Sequence, residues 1–133
     1  MTSNIINKKS GLENAFFCVK SFLLLMKPRV MSLVIFTCTV GLLMSPEKVS
    51  FFKSIISIFF VAVGAGAAGA LNMWYEADLD KLMTRTCLRP IPTGRVNKKQ
   101  ALTFGVALSI ISIVGLLYYS NLTSAFILFI TIF

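Results

Sequence analysis

Uncharged runs too long for an ordinary soluble protein alternate along this chain with short clusters of charge. Val30 to Pro46, Ser54 to Tyr75 and Gln100 to Phe133 contain no Asp, Glu, Lys or Arg. A helix that crosses a bilayer needs about 20 mostly apolar residues, so each of the first two runs predicts one span. The third run is longer and is broken by Tyr118-Tyr119-Ser120-Asn121. It reads as one full span over Ala101 to Tyr119 and the first half of another from Ser124, so the chain is expected to end at membrane depth. Ahead of the first span, Phe16 to Met26 is apolar but interrupted by Lys20, and no small-x-small cleavage site follows it. It reads as an interfacial segment leading into the membrane. The pattern thus predicts an all-α, polytopic membrane protein. Its N-terminal cytoplasmic or interfacial segment covers 1–25, and residues 26–133 form part of one membrane domain.

Composition agrees, with 56% hydrophobic and only 14% charged residues, too apolar for a soluble domain. The net charge of +8 would suit nucleic acid only on a soluble basic scaffold, so the expected partner is the lipid bilayer, with no nucleic acid. Lys8, Lys9, Lys20, Lys27 and Arg29 precede the first span, and Lys81, Arg85, Arg89, Arg95, Lys98 and Lys99 lie between the second and third. The loop between the first two spans has only Lys48 and Lys53, beside Glu47. Under the positive-inside rule this places the N-terminus and the 81–99 loop in the cytoplasm. Cys18, Cys38 and Cys87 are odd in number and none falls on the outer face, so disulfides are not expected. With no histidine and no CxxC, soft metal sites are not expected either.

Two local patterns have a plain reading. Gly64-Ala-Gly-Ala-Ala-Gly69 matches GxGxxG, but that fingerprint requires a strand, a tight turn and a helix start. Here it lies inside an apolar run, where Ala62, Gly66 and Ala70, four apart, predict a smooth face for close helix packing. Asn121-Leu122-Thr123 is a formal glycosylation sequon in a short loop against the membrane, and reads as coincidence.

The chemistry lies where the second run ends. Three of the five acidic residues, Glu76, Asp78 and Asp80, fall within five positions, directly after the Ser54–Tyr75 run. If the helix continues, Asn72, Glu76 and Asp80 share one face and Asp78 points away from it. Two carboxylates about 6 Å apart repel by roughly 3 kcal/mol at an effective dielectric of 20, so a cation, metal or Lys/Arg, is expected between them. One amide and two carboxylates form an oxygen-only set suited to Mg²⁺, which keeps waters and shares phosphate oxygens. Ionisable groups at membrane depth are functional candidates, whereas a solvated helix end with snorkelling cations is the structural alternative. Only four of the thirteen basic residues are Arg, and Arg85, Arg89 and Arg95 all sit in the following loop. A loop needing charge for topology alone could use Lys throughout, but the guanidinium fork suits phosphate oxygens.

The run from Asn72 to Pro92, with Gly94-Arg95-Val96 after it, resembles the first active-site motif of the protohaem IX farnesyltransferases, a branch of the UbiA-type intramembrane prenyltransferase superfamily. The Gly64-to-Leu71 run and Lys27-Pro28-Arg29-Val30 resemble that branch too, so the likeness covers about residues 25 to 120. Trp74-Tyr75-Glu76 and Arg85-Thr86-x-x-Arg89-Pro90-Ile91-Pro92 separate it from the branch acting on quinone precursors.

The resemblance implies the first three to four helices of a nine-helix fold with two acidic motifs facing each other across a cavity. It implies transfer of farnesyl from farnesyl diphosphate to a vinyl group of protohaem IX, with water adding, to give haem O and diphosphate. Haem O serves haem A/O biosynthesis for terminal oxidases, and the setting implied is the bacterial inner membrane. By position, Asn72, Glu76 and Asp80 would hold Mg²⁺, while Lys81, Arg85 and Arg89 would grip the diphosphate. Asp80, Arg85 and Arg89 would act in catalysis. The pattern departs at Glu76, where the superfamily more often has Asp, which leaves Asp78 as an alternative ligand or as an outer partner of the ligands. The second acidic motif lies outside this sequence. An inactive fragment is therefore expected, and a separately encoded C-terminal half is a candidate partner. The alternatives are a non-catalytic membrane remnant, a small membrane interaction protein, or a related prenyltransferase acting on an aromatic quinone precursor.

Overall fold

The computed structural model describes residues 16–46 and 49–133. Lys8, Lys9, Glu47 and Lys48, which contribute to the charge asymmetry, lie outside the described residues. The described chain consists of helices and turns. They are α1 (Phe16–Leu25), then α2 (Pro28–Leu43), α3 (Phe51–Asp80), α4 (Lys98–Tyr119) and α5 (Leu122–Ile132). The expected all-α membrane architecture is what is found. Helices α3 and α4 are each long and apolar enough to cross a membrane, and α1 and α2 together make a third candidate span bent by 55°. α5 is apolar but shorter.

α3 is the central element and contacts α2, α4 and α5. Its 30 residues extend about 45 Å at 1.5 Å per residue, beyond a hydrocarbon core of about 30 Å. The expected span, Ser54 to Tyr75, is its apolar part, and the helix runs on through the acidic residues. That extension is unfavourable by itself, because carboxylates oppose the negative end of the helix dipole. It persists because cations from the following loop and from α4 neutralise them.

Small residues set the packing. A Cβ on Gly64 would come within 2.6 Å of Ser112 Oγ on α4 and 2.8 Å of Leu128 Cδ1 on α5. One on Gly105 of α4 would come within 2.9 Å of the Leu71 side chain, and one on Gly115 would run into the Phe60 ring. Without a hydrophobic driving force inside lipid, such close backbone approach supplies the dispersion contacts that hold helices together. Ser112 Oγ donates to the Phe60 carbonyl at 2.8 Å, crossing from α4 to α3. The Gly64–Gly69 run is thus a packing surface within one continuous helix.

Residues 81–97 fold back as a series of turns over the end of α3. Ile91 and Val96 anchor that loop, joining Leu25, Ala70, Met73, Ala77 and Ala101 in one buried cluster. The loop ends where the Asn97 backbone N–H donates to Gln100 Oε1 at 3.1 Å, satisfying a donor at the start of α4. On the other side, α1 is tied in by Phe22 against Phe104 of α4 (centroids 4.9 Å apart) and by Phe17 beneath the Arg95 guanidinium (5.2 Å). Between α1 and α2, Lys27 has φ 51° and ψ 69°, a left-handed conformation that costs a non-glycine residue about 1–3 kcal/mol. Asn121, the sequon asparagine, accepts from Ser124 Oγ at 2.5 Å in the turn that starts α5.

Candidate functional site

The continuation of α3 to Asp80 stacks Asn72, Glu76 and Asp80 on one face at i, i+4 and i+8. They line a cleft of about 320 Å³ together with Lys27, Met83, Arg85, Thr86 and Arg89. The loop brings Arg89 across both carboxylates. Its Nη1 donates to Asp80 Oδ1 at 2.8 Å and Oδ2 at 2.7 Å, and to Glu76 Oε2 at 3.2 Å. Thr86 braces the fold-back by donating from Oγ1 to the Asp80 carbonyl at 3.4 Å. Thr93 Oγ1 donates to the Arg89 carbonyl at 2.8 Å.

Burial makes the Asp80–Arg89 pair decisive. The Asp80 side chain is only 4% exposed and that of Arg89 25%, and a charge this buried is tolerated only when paired and hydrogen-bonded. Burial alone would lower the pKa of Arg89, but the hydrogen bonds and charges of Asp80 and Glu76 outweigh it and raise it. The guanidinium therefore stays positive throughout the physiological range. Among the described residues, its side-chain contacts all run through Nη1, so Nε and Nη2 remain for other acceptors.

Asp78 lies on another face, as a helix requires for a residue two positions away. It accepts from Lys98 Nζ at 2.7 Å and is 3.8 Å from Lys81 Nζ. Lys81 is therefore placed with Asp78 on the exposed side and is absent from the cleft lining. Arg85 lines the cleft and is exposed, while Arg95 is drawn away to Phe17. Lys27 enters from the α1–α2 bend, far away in sequence. The Lys27-Pro28-Arg29 motif is the available signal for it, but spacing alone cannot connect that motif to α3.

The residues present supply oxygen donors for a divalent cation: Asn72, Glu76 and Asp80. No cluster of three or more His, Cys, Asp or Glu able to hold a metal occurs among the described residues. Yet Glu76 and Asp80 converge on a single cationic atom, with the Asn72 amide one turn away on the same face. Two carboxylates and an amide would leave the remaining positions of Mg²⁺ to water and phosphate oxygens, as that ion prefers. Lys27, Arg85 and Arg89 against Glu76 and Asp80 give the cleft three positive and two negative charges. That balance suits a metal–polyanion complex better than either ion alone. Asn72 also lines a second, mostly apolar groove with Leu71, Trp74, Leu102 and Val106, and so belongs to both the polar cleft and that groove.

A protein called protoheme IX farnesyltransferase, from Pelagibacter ubique (strain HTCC1062), is 58% identical over 132 residues, 99% of this chain and 43% of that protein. Protoheme IX farnesyltransferase 2 of Mesorhizobium japonicum is 51% identical over 125 residues, 94% of this chain and 40% of its own length. Protoheme IX farnesyltransferase of Rhodopseudomonas palustris (strain BisB18) is 56% identical over 115 residues, 86% of this chain and 37% of its own length. The chain thus spans about two-fifths of the length of these curated relatives. No solved structure matches it. Residues 34–133 match the profile of the UbiA prenyltransferase family, and the chain belongs to that family.

Proposed function

We propose that this chain forms the diphosphate-binding part of a farnesyltransferase that acts on protohaem IX. In the reaction, the C1–O bond of farnesyl diphosphate breaks, and a new carbon–carbon bond joins farnesyl to a haem vinyl group. Water adds the hydroxyl and releases a proton, giving haem O and diphosphate. The observation that carries the reading is the convergence of Glu76 and Asp80 on Arg89 Nη1, beside Arg85 and next to an apolar groove. The names of the relatives support the choice of substrates.

Asn72, Glu76 and Asp80 would hold Mg²⁺, which when bound would neutralise diphosphate oxygens. Arg89 and Arg85 would grip the phosphates and stabilise charge developing on the leaving oxygens. Such preset positive groups lower a barrier because they need no reorganisation during the reaction. The groove beyond Asn72, with Trp74 and Val106, would take the isoprenoid tail and keep water from a cationic C1. Lys81, held beside Asp78, would act only by entering the cleft when ligand binds.

The Lys and Arg distribution supports a cytoplasmic 81–99 loop in the inner membrane of a bacterium. A cleft of about 320 Å³ is at the low end for a ligand site and would take a diphosphate with its metal but not a haem as well. The acceptor wall would then come from the length that the relatives have beyond this match.

The test is haem O formation in membranes containing the chain alone, or the chain co-expressed with the C-terminal remainder of the Pelagibacter ubique relative. Product only on co-expression is expected. Product from the chain alone would contradict the division of the site. Prenylation of an aromatic quinone precursor but not haem would favour the other acceptor class.

A further inference from the structure

Lys27 is the described residue whose backbone is hardest to explain by local preference. It is the one non-glycine residue with positive φ among the described residues, and it directly precedes Pro28, where an extended conformation is the default. Its carbonyl accepts from Val30 N at 2.9 Å and Met31 N at 3.1 Å, so the left-handed turn launches α2 at the 55° bend. The turn places Lys27 on the cleft with Glu76, Asp80, Arg85 and Arg89. Among the described residues it takes part in no ion pair. Strain held in place at a cleft, on a partly buried lysine without a carboxylate partner, is the pattern of a residue kept for a ligand.

The bend is held by the glycines of α3. A Cβ on Gly69 would lie 3.2 Å from the Leu25 carbonyl oxygen and 3.3 Å from that of Met26, and one on Gly66 would meet the Met26 side chain. Leu25 itself is fully buried. The backbone immediately before Lys27 therefore rests on a glycine notch one to two turns below Asn72. That specific contact goes beyond general helix packing.

We infer that Lys27 is a diphosphate-gripping residue, and that Gly66 and Gly69 are positioning residues that seat the bend so its ammonium faces the Glu76–Asp80 carboxylates across the bound anion. The inference rests on the diphosphate reading and adds an element that the loop arginines do not supply, a cation delivered to the cleft from the α1–α2 bend. The chemistry is electrostatic: an ammonium donates up to three hydrogen bonds to phosphate oxygens and needs no fork geometry.

The chain in phosphatidylcholine nanodiscs with Mg²⁺, titrated with inorganic pyrophosphate by calorimetry, tests this. Lys27→Gly removes the charge but relaxes the strained turn. It should raise the melting temperature while weakening pyrophosphate by about tenfold or more, the loss of one charge-assisted hydrogen bond. Lys27→Arg should largely keep the affinity. Gly69→Ala should weaken binding although Lys27 is intact, and Lys99→Gln, an exposed charge control, should leave it unchanged. Undiminished affinity in Lys27→Gly would overturn the gripping role, and undiminished affinity in Gly69→Ala the positioning role. If the unaltered chain binds no pyrophosphate, the inference falls together with the diphosphate reading on which it rests.

Discussion

Asp78 and Asp80 are two residues apart on one helix, yet they meet opposite environments. Asp80 is almost fully buried, and both its oxygens are held by a guanidinium brought back by the loop. Asp78 is 71% exposed, and its lysine partners, Lys81 and Lys98, are both substantially in solvent. Helical geometry alone sends them to different faces, but the loop decides which face becomes a site. Folding 81–97 over the Asp80 side encloses one carboxylate and leaves the other to solvent. Acidic residues close in sequence thus need not act as one cluster.

Arg89→Ala should disturb this contrast most strongly. It should destabilise the fold by about 3 kcal/mol, near the lower end for an unpaired buried charge because Arg89 is itself partly exposed. Denaturation in mixed micelles measures this. Adding Asp80→Asn should recover much of the loss, and a purely additive double variant would show that the two residues do not act as a pair.

Changes to helix packing should have the next greatest effect. Gly115→Ala forces a methyl into the Phe60 ring and should cost about 1–3 kcal/mol, recovered in part by Phe60→Leu in the same background. An unchanged melting temperature for Gly115→Ala would mean that α3 and α4 are not so closely packed. Ser112→Ala removes the bond to the Phe60 carbonyl and should cost about 0.6 kcal/mol, the usual scale between membrane helices. Smallest of all, Asp78→Asn should leave the melting temperature where it was, because an exposed pair in water contributes little.

Much of this can be read from the residues. The uncharged runs give the helices, and the four-residue spacing gives the shared face of Asn72, Glu76 and Asp80. Repulsion between carboxylates also requires a cation, and Arg89 is the one that the structure supplies. What cannot be read depends on the path of the backbone between elements. Lys81 follows Asp80 directly, yet one helical step turns it toward Asp78, so closeness in sequence misleads. Lys27 lies far upstream and reaches the cleft only because a left-handed turn and the Gly69 notch bring it there. The reach of α3 past Tyr75 is also hidden, because carboxylates at a helix C-terminus oppose the dipole until partners from distant positions compensate them.

On the proposed function, the chemistry belongs to the Asp80 side of α3 and not to the Asp78 side. The sharpest measurement joins this chain to the C-terminal remainder of the Pelagibacter ubique relative and quantifies haem O formed from farnesyl diphosphate and haem b. Asp80→Asn and Asp78→Asn are then compared at equal membrane insertion. Asp80→Asn should lower turnover by about a hundredfold or more, an electrostatic loss of roughly 3 kcal/mol, while Asp78→Asn should stay within a few-fold of the parent. Equal losses in both variants, or near-normal turnover in Asp80→Asn, would contradict that assignment.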